Sequence, residues 1–251
     1  MSAQLPEPAD KGDIWNRVLR ATLTMPGARV DRTAFLHKEF SKHFPLEIVE
    51  SAISKTPAQA GIPAVTIRRI AESSISWHRS GVTAASFAAG LPGGWWMAGT
   101  MPADLTQFFW HIAVVLQKLA YLHGWPELLI NGEELDDETL HIFTIFVGVM
   151  FGATGAGKLL AQLSERLSEQ IATRLPKEAL TKWGLYRLAR SIAKWIGVKL
   201  TKESFSRVLS KAIPVLGAFV SGTITWISIS QMSNRLLTHL EKLHPHTGTT
   251  D

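Results

Sequence analysis

Apolar residues recur along this chain at intervals of three and four, and that spacing predicts helices from end to end. Residues 13–23 place Ile14, Trp15, Val18 and Leu19 on one face before Met25-Pro26-Gly27 stops the helix. Asp31 or Thr33 suits the cap of a second helix, in which Phe35, Leu36, Phe40 and Phe44 keep helical spacing up to Pro45. Leu46, Ile48, Val49 and Ile53 make a short third helix, and residues 56–63, rich in Gly and Pro, form a connection. Val65, Ile67, Ile70, Ile75 and Trp77 predict a fourth helix despite the β-branching, because Arg68, Arg69, Glu72 and His78 leave it a polar face.

From Ser80 to Gln117 the sole formal charge is Asp104. The first half of that run is rich in Ala, Gly and Ser. The second half is a strong helix, opened by Pro102 or capped by Asp104 and stopped by Gly124 with Pro126. An acidic connection with an Asn131-Gly132 turn follows, then residues 139–157 without a charge. Leu159, Leu160, Leu163, Leu167, Ile171 and Leu175 mark an amphipathic helix. Pro176 opens another, carrying Leu180, Trp183, Leu188, Ile192, Trp195 and Ile196 and ending near Gly197. A short helix from Thr201 to Ala212 precedes an uncharged run over 212–234 and a polar tail. No alternating run or tandem repeat stands out. The expectation is an all-α, multi-helix bundle with two central apolar, glycine-rich helices. It divides into a helical extension (1–60), a main helical domain (61–241) and a tail (242–251).

Small residues in the two apolar runs fall four apart: Gly148 with Gly152, Ala153 with Gly157, Gly217 with Ser221, and Ala218 with Gly222. A helical Gly costs up to about 1 kcal/mol relative to Ala, which close backbone approach can offset. Gly148, Gly152, Gly157, Gly217, Ala218 and Gly222 are therefore the expected helix-packing positions. Residues 212–232 hold twelve hydrophobic residues among Pro, Gly, Ser, Thr and Gln, so membrane insertion is marginal on the pattern. A packed core and a transmembrane hairpin both remain open.

Of the 251 residues, 46% are hydrophobic and 19% charged, which excludes bulk disorder. The absence of Cys removes disulfides, thiolate metal sites and thiol nucleophiles together. The first thirteen residues are polar and do not read as a secretory signal. The net charge of +5 is uneven: Lys158 to Lys211 holds twelve basic residues against four acidic ones, leaving −3 elsewhere. Lys158, Arg166, Arg174, Lys177, Lys182, Arg187, Arg190 and Lys194 suit an anionic lipid or protein partner, although a solvated helix face explains them equally simply. Nine Trp against two Tyr, with Trp95-Trp96 in a Gly-rich stretch, favour a membrane interface, and these two join the candidate contact set. No zinc-finger, homeodomain or RNA-recognition motif occurs, so nucleic acid is not an expected partner.

Gly152-Ala-Thr-Gly-Ala-Gly157-Lys158 matches seven positions of a phosphate-binding loop, but Leu159 stands where the magnesium-binding hydroxyl belongs and no strand is predicted before it. No nucleotide is expected. The nine His form no HExxH pattern, and His111 and His123 are too far apart along one helix to share a metal. No metal and no cofactor are predicted, and no serine-hydrolase elbow is present. Asp104, isolated among apolar residues, is either a helix cap or a proton-handling group. With His111 seven residues on, it marks the one candidate catalytic pair.

Gly90-Leu91-Pro92-Gly93-Gly94, then Met101-Pro102-Ala103-Asp104-Leu105, then Ala120-Tyr121-Leu122-His123-Gly124, resemble the EcsC-like bacterial family. So does Lys211 to Gly222, with its Pro214 and Gly217. Thr106 replaces the family's usual proline, and His123-Gly124 stands for Tyr-Gly. The likeness spans roughly residues 80–241. It implies a largely helical, cytoplasmic or membrane-associated protein from a family named after an ABC-transporter operon and without an established reaction. The expectation is thus a non-catalytic helical protein, peripheral on the inner face of the cell membrane, binding anionic lipid or a membrane partner such as a transporter. A conditional membrane-inserting, pore-forming protein is the first alternative. An enzyme with a site near Asp104 and His111 is the second.

Overall fold

The computed structural model describes residues 11–89, 103–129, 135–169, 186–200 and 217–243. Among them it is all α. The helices are α1 (Lys11–Leu23), α2 (Arg32–Phe40), α3 (Leu46–Ser54), α4 (Ala64–Ala89), α5 (Ala103–Leu122), α6 (Asp137–Phe151), α7 (Ala156–Glu169), α8 (Tyr186–Leu200) and α9 (Gly217–Leu243).

Local chemistry sets several of these limits. The Asp31 carboxylate accepts the Ala34 N–H at 2.8 Å and starts α2, while Phe44 falls beyond its end. Asp136 caps α6 in the same way through the Thr139 N–H at 2.8 Å, with Asp137 and Glu138 adding negative charge to its first turn. Two expected limits move. The fourth helix runs on through its Ala/Ser-rich end to Ala89, and α8 continues past Gly197 to Leu200.

The 139–157 run is not one helix. Gly152 adopts φ +75°, a left-handed cap that ends α6, and Gly155 at φ +83° turns the chain into α7. Gly148 and Gly152 therefore do not share a helical face, and Gly157 belongs to the next helix. Gly148 does make the expected close approach: an added Cβ would lie 2.7 Å from Ile192 Cγ2 of α8. At Gly157 the close neighbour is instead His239 of α9, 2.8 Å away. Gly217, Ala218 and Gly222 lie in α9, with side-chain surroundings outside the described residues.

The apolar helices α6 and α9 do pack together, and α9 packs most extensively on α4. Every residue from Ile142 to Met150 is buried, and so is α5 from Phe109 to Leu122 apart from Trp110 and Lys118. From Ile229 on, where its side chains are described, α9 buries Ile229, Met232, Leu236 and Leu240 and exposes Gln231, Asn234, Arg235 and Thr238.

The N-terminal helices share this core. Trp15, Val18 and Leu19 of α1 are buried between α5, α6 and α8, and the Trp15 indole donates to Thr144 Oγ1 at 2.8 Å. The Thr144 hydroxyl in turn donates to Leu140 O at 2.7 Å, so both buried polar groups are satisfied. Arg32 fastens α2 to its surroundings by donating to the carbonyls of Trp125, Ile53 and Lys55.

Candidate functional site

Helix α5 carries two pairs of polar residues at seven-residue spacing, and each pair faces a different neighbour. Trp110 Nε1 donates to Pro26 O at 3.1 Å. Gln117 Nε2 donates to Ala28 O at 2.7 Å, and its Oε1 accepts the Val30 N–H at 3.1 Å. These bonds fix one side of α5 on the turn between α1 and α2.

On the other side, His111 and Lys118 meet His78 of α4. The Nδ1 atoms of His78 and His111 are 3.2 Å apart, and Lys118 Nζ lies 3.1 Å from His78 Nε2. His78 is 1% exposed and His111 7%. An amine N–H donating to Nε2 makes Nδ1 of His78 the protonated nitrogen, which then donates to His111 Nδ1. That leaves the remaining proton of His111 on Nε2. The three groups form a directed chain: amine, imidazole, imidazole.

Burial and neighbouring charge keep the chain low in protons. His78 is pushed down to about 3, first by desolvation and then by Lys118 and His111. His111 is pushed down to about 4 by desolvation. Lys118 is lowered too, chiefly by burial, with Lys38 lowering it further and Glu39 working against both. Its Nζ sits 5.8 Å from the Phe35 ring and 5.4 Å from the ring of Trp77, which is 64% exposed.

Such a chain is poorly arranged for a metal. Among the described residues no three His, Asp or Glu side chains gather closely enough to hold one. Moreover, the Lys118 donor directs the His78 proton onto the nitrogen that would have to coordinate. Of the candidate catalytic pair, His111 belongs to this cluster. Asp104 lies in the first turn of α5, two turns before His111 on one continuous helix, with its side chain outside the described residues. Sequence reasoning missed His78 and Lys118. The signal was present: Lys118 is the first charge after the long uncharged run and keeps the seven-residue register of Asp104 and His111.

The second candidate surface is α8. Its buried side is Ala189, Ile192, Ala193 and Ile196, packed toward α1 and α6. Its outer side exposes Arg187, Arg190 and Lys194 together with Tyr186, Leu188 and Val198, and the helix contains no acidic residue. Lys158 and Arg166 are exposed on α7. Arg174, Lys177, Lys182, Trp95 and Trp96 lie outside the described residues. The glycine-rich Gly152–Lys158 segment joins two helices, without the preceding strand that a phosphate loop requires. Among the described residues no helix is long and apolar enough to cross a membrane. The fold and surfaces define an all-α bundle with a cationic outer helix and a buried imidazole–amine cluster. No family model, curated protein or solved structure matches the chain.

Proposed function

We propose that this is a non-catalytic, EcsC-like bacterial protein that works on the cytoplasmic face of the cell membrane, bound to anionic lipid or to a membrane protein. The observation that carries the reading is the outer side of α8, where three exposed cations stand among three exposed large apolar side chains. Cations near an anionic leaflet each contribute about 1 kcal/mol, and exposed apolar side chains add shallow burial at headgroup depth. The likeness to EcsC-like proteins rests on the motif residues alone.

The test is sedimentation with phosphatidylglycerol and with phosphatidylcholine vesicles. Binding should require the anionic lipid and fall steeply with salt. Replacing Arg187, Arg190 and Lys194 together by Gln removes about 3 kcal/mol and should weaken binding roughly 100-fold. Equal binding to both lipids, or binding unchanged in the triple variant, would overturn the proposal. Release of a trapped dye by the bound protein would favour the membrane-inserting alternative instead.

A further inference from the structure

A buried amine beside two neutral imidazoles has a chemical use that the membrane reading leaves idle. Nucleophilic side chains are recognised by a base within hydrogen-bond reach and a third group that orients the base. Lys118, His78 and His111 stand in that relation, at 3.1 Å and 3.2 Å. We propose that Lys118 is a nucleophilic amine, set by His78 and His111, that captures an aromatic aldehyde as an imine.

Three features support the assignment. Lys118 is half-buried and lowered toward the neutral amine, the form that owns a lone pair. Of the charged groups acting on it from the facing helix, Glu39 of α2 favours the ammonium more than Lys38 opposes it, and burial outweighs both. Finally, the exposed Trp77 ring beside Nζ offers an aromatic carbonyl compound a surface to stack on.

The chemistry balances without an oxidant or reductant. The ammonium proton passes to His78 Nε2 while the His78 Nδ1 proton moves to His111 Nδ1 and the His111 Nε2 proton is given up to water. The free Nζ pair then forms a C–N bond to the carbonyl carbon as the C=O π pair moves to oxygen and takes a proton. Loss of the nitrogen proton and of water leaves C=N, so amine and aldehyde become imine and water. Capture is independent of lipid binding and requires no turnover.

The experiment treats the full-length protein with benzaldehyde and cyanoborohydride at neutral pH and locates the resulting benzyl groups by peptide mass spectrometry. Lys118 should be labelled at least tenfold faster than the exposed Lys42, Lys55 and Lys158, with a rate–pH profile displaced to lower pH than theirs. The His78→Gln variant, checked for native helicity, should lose that advantage while the exposed lysines label as before. Labelling of Lys118 no faster than the surface lysines overturns the proposal in the unmodified protein, whatever the variant does. Rapid labelling that persists in His78→Gln overturns the role given to the imidazoles.

Discussion

The imidazole pair makes a quantitative demand on acid stability. In the unfolded chain a His titrates near 6.5, whereas folded His78 takes a proton only at about 3. Between those values the unfolded state binds more protons, so the stabilising contribution is complete above 6.5 and is lost as pH falls toward 3. At pH 5 His78 is still neutral when folded and mostly charged when unfolded. At 1.36 kcal/mol for each pH unit below 6.5, its loss by pH 5 is about 2 kcal/mol. His111 acts in the same direction over a window from 6.5 to about 4, and delivers less because its ring is more open to solvent. Urea unfolding at pH 7.5 and pH 5 reads the effect directly. The unmodified protein should lose about 2 kcal/mol more than His78→Gln between those conditions, since Gln keeps an acceptor for Lys118 but has nothing to titrate. Equal losses in the two proteins would refute the buried, neutral assignment of His78.

Two further substitutions follow from the packing. Thr144→Val keeps the shape but removes the acceptor of the buried Trp15 N–H, and should lower unfolding free energy by about 1–3 kcal/mol; Trp15→Phe in the same background should cost less than it does alone. Gly152→Ala places a Cβ on a residue at φ +75° and within 2.9 Å of Arg235 Nη1, and should cost about 1–2 kcal/mol or more in thermal melts. Gly152→Asn, which tolerates the left-handed region better, should cost less.

Periodicity made the helices legible, and the reasons are visible in particular residues. Short amphipathic stretches such as Leu46 to Ile53 became helices within a residue or two of expectation, because their buried face and their Pro or Gly boundaries agree. The 139–157 run was misread as continuous because uncharged composition carries no directional signal. Only backbone geometry distinguishes Gly148, which admits a neighbouring helix, from Gly152, which ends one. The basic residues of α8 were visible as charge, and the structure adds that Arg187, Arg190 and Lys194 occupy its outer side. One of the three members of the imidazole–amine cluster was visible, since His111 was singled out within its own helix. His78 could not be joined to it by spacing, because that contact crosses 33 residues and two helices.

Arg235 has a consequence for how the molecule is made. Its guanidinium donates to Met150 O at 2.8 Å and lies across the Gly152 turn, so a terminal carbonyl of α6 takes its hydrogen bond from a residue 85 positions later. During synthesis that carbonyl lacks this donor until α9 leaves the ribosome. A nascent chain stopped near residue 200 should therefore fray at the end of α6 and resist proteolysis there only once Arg235 of α9 has been added.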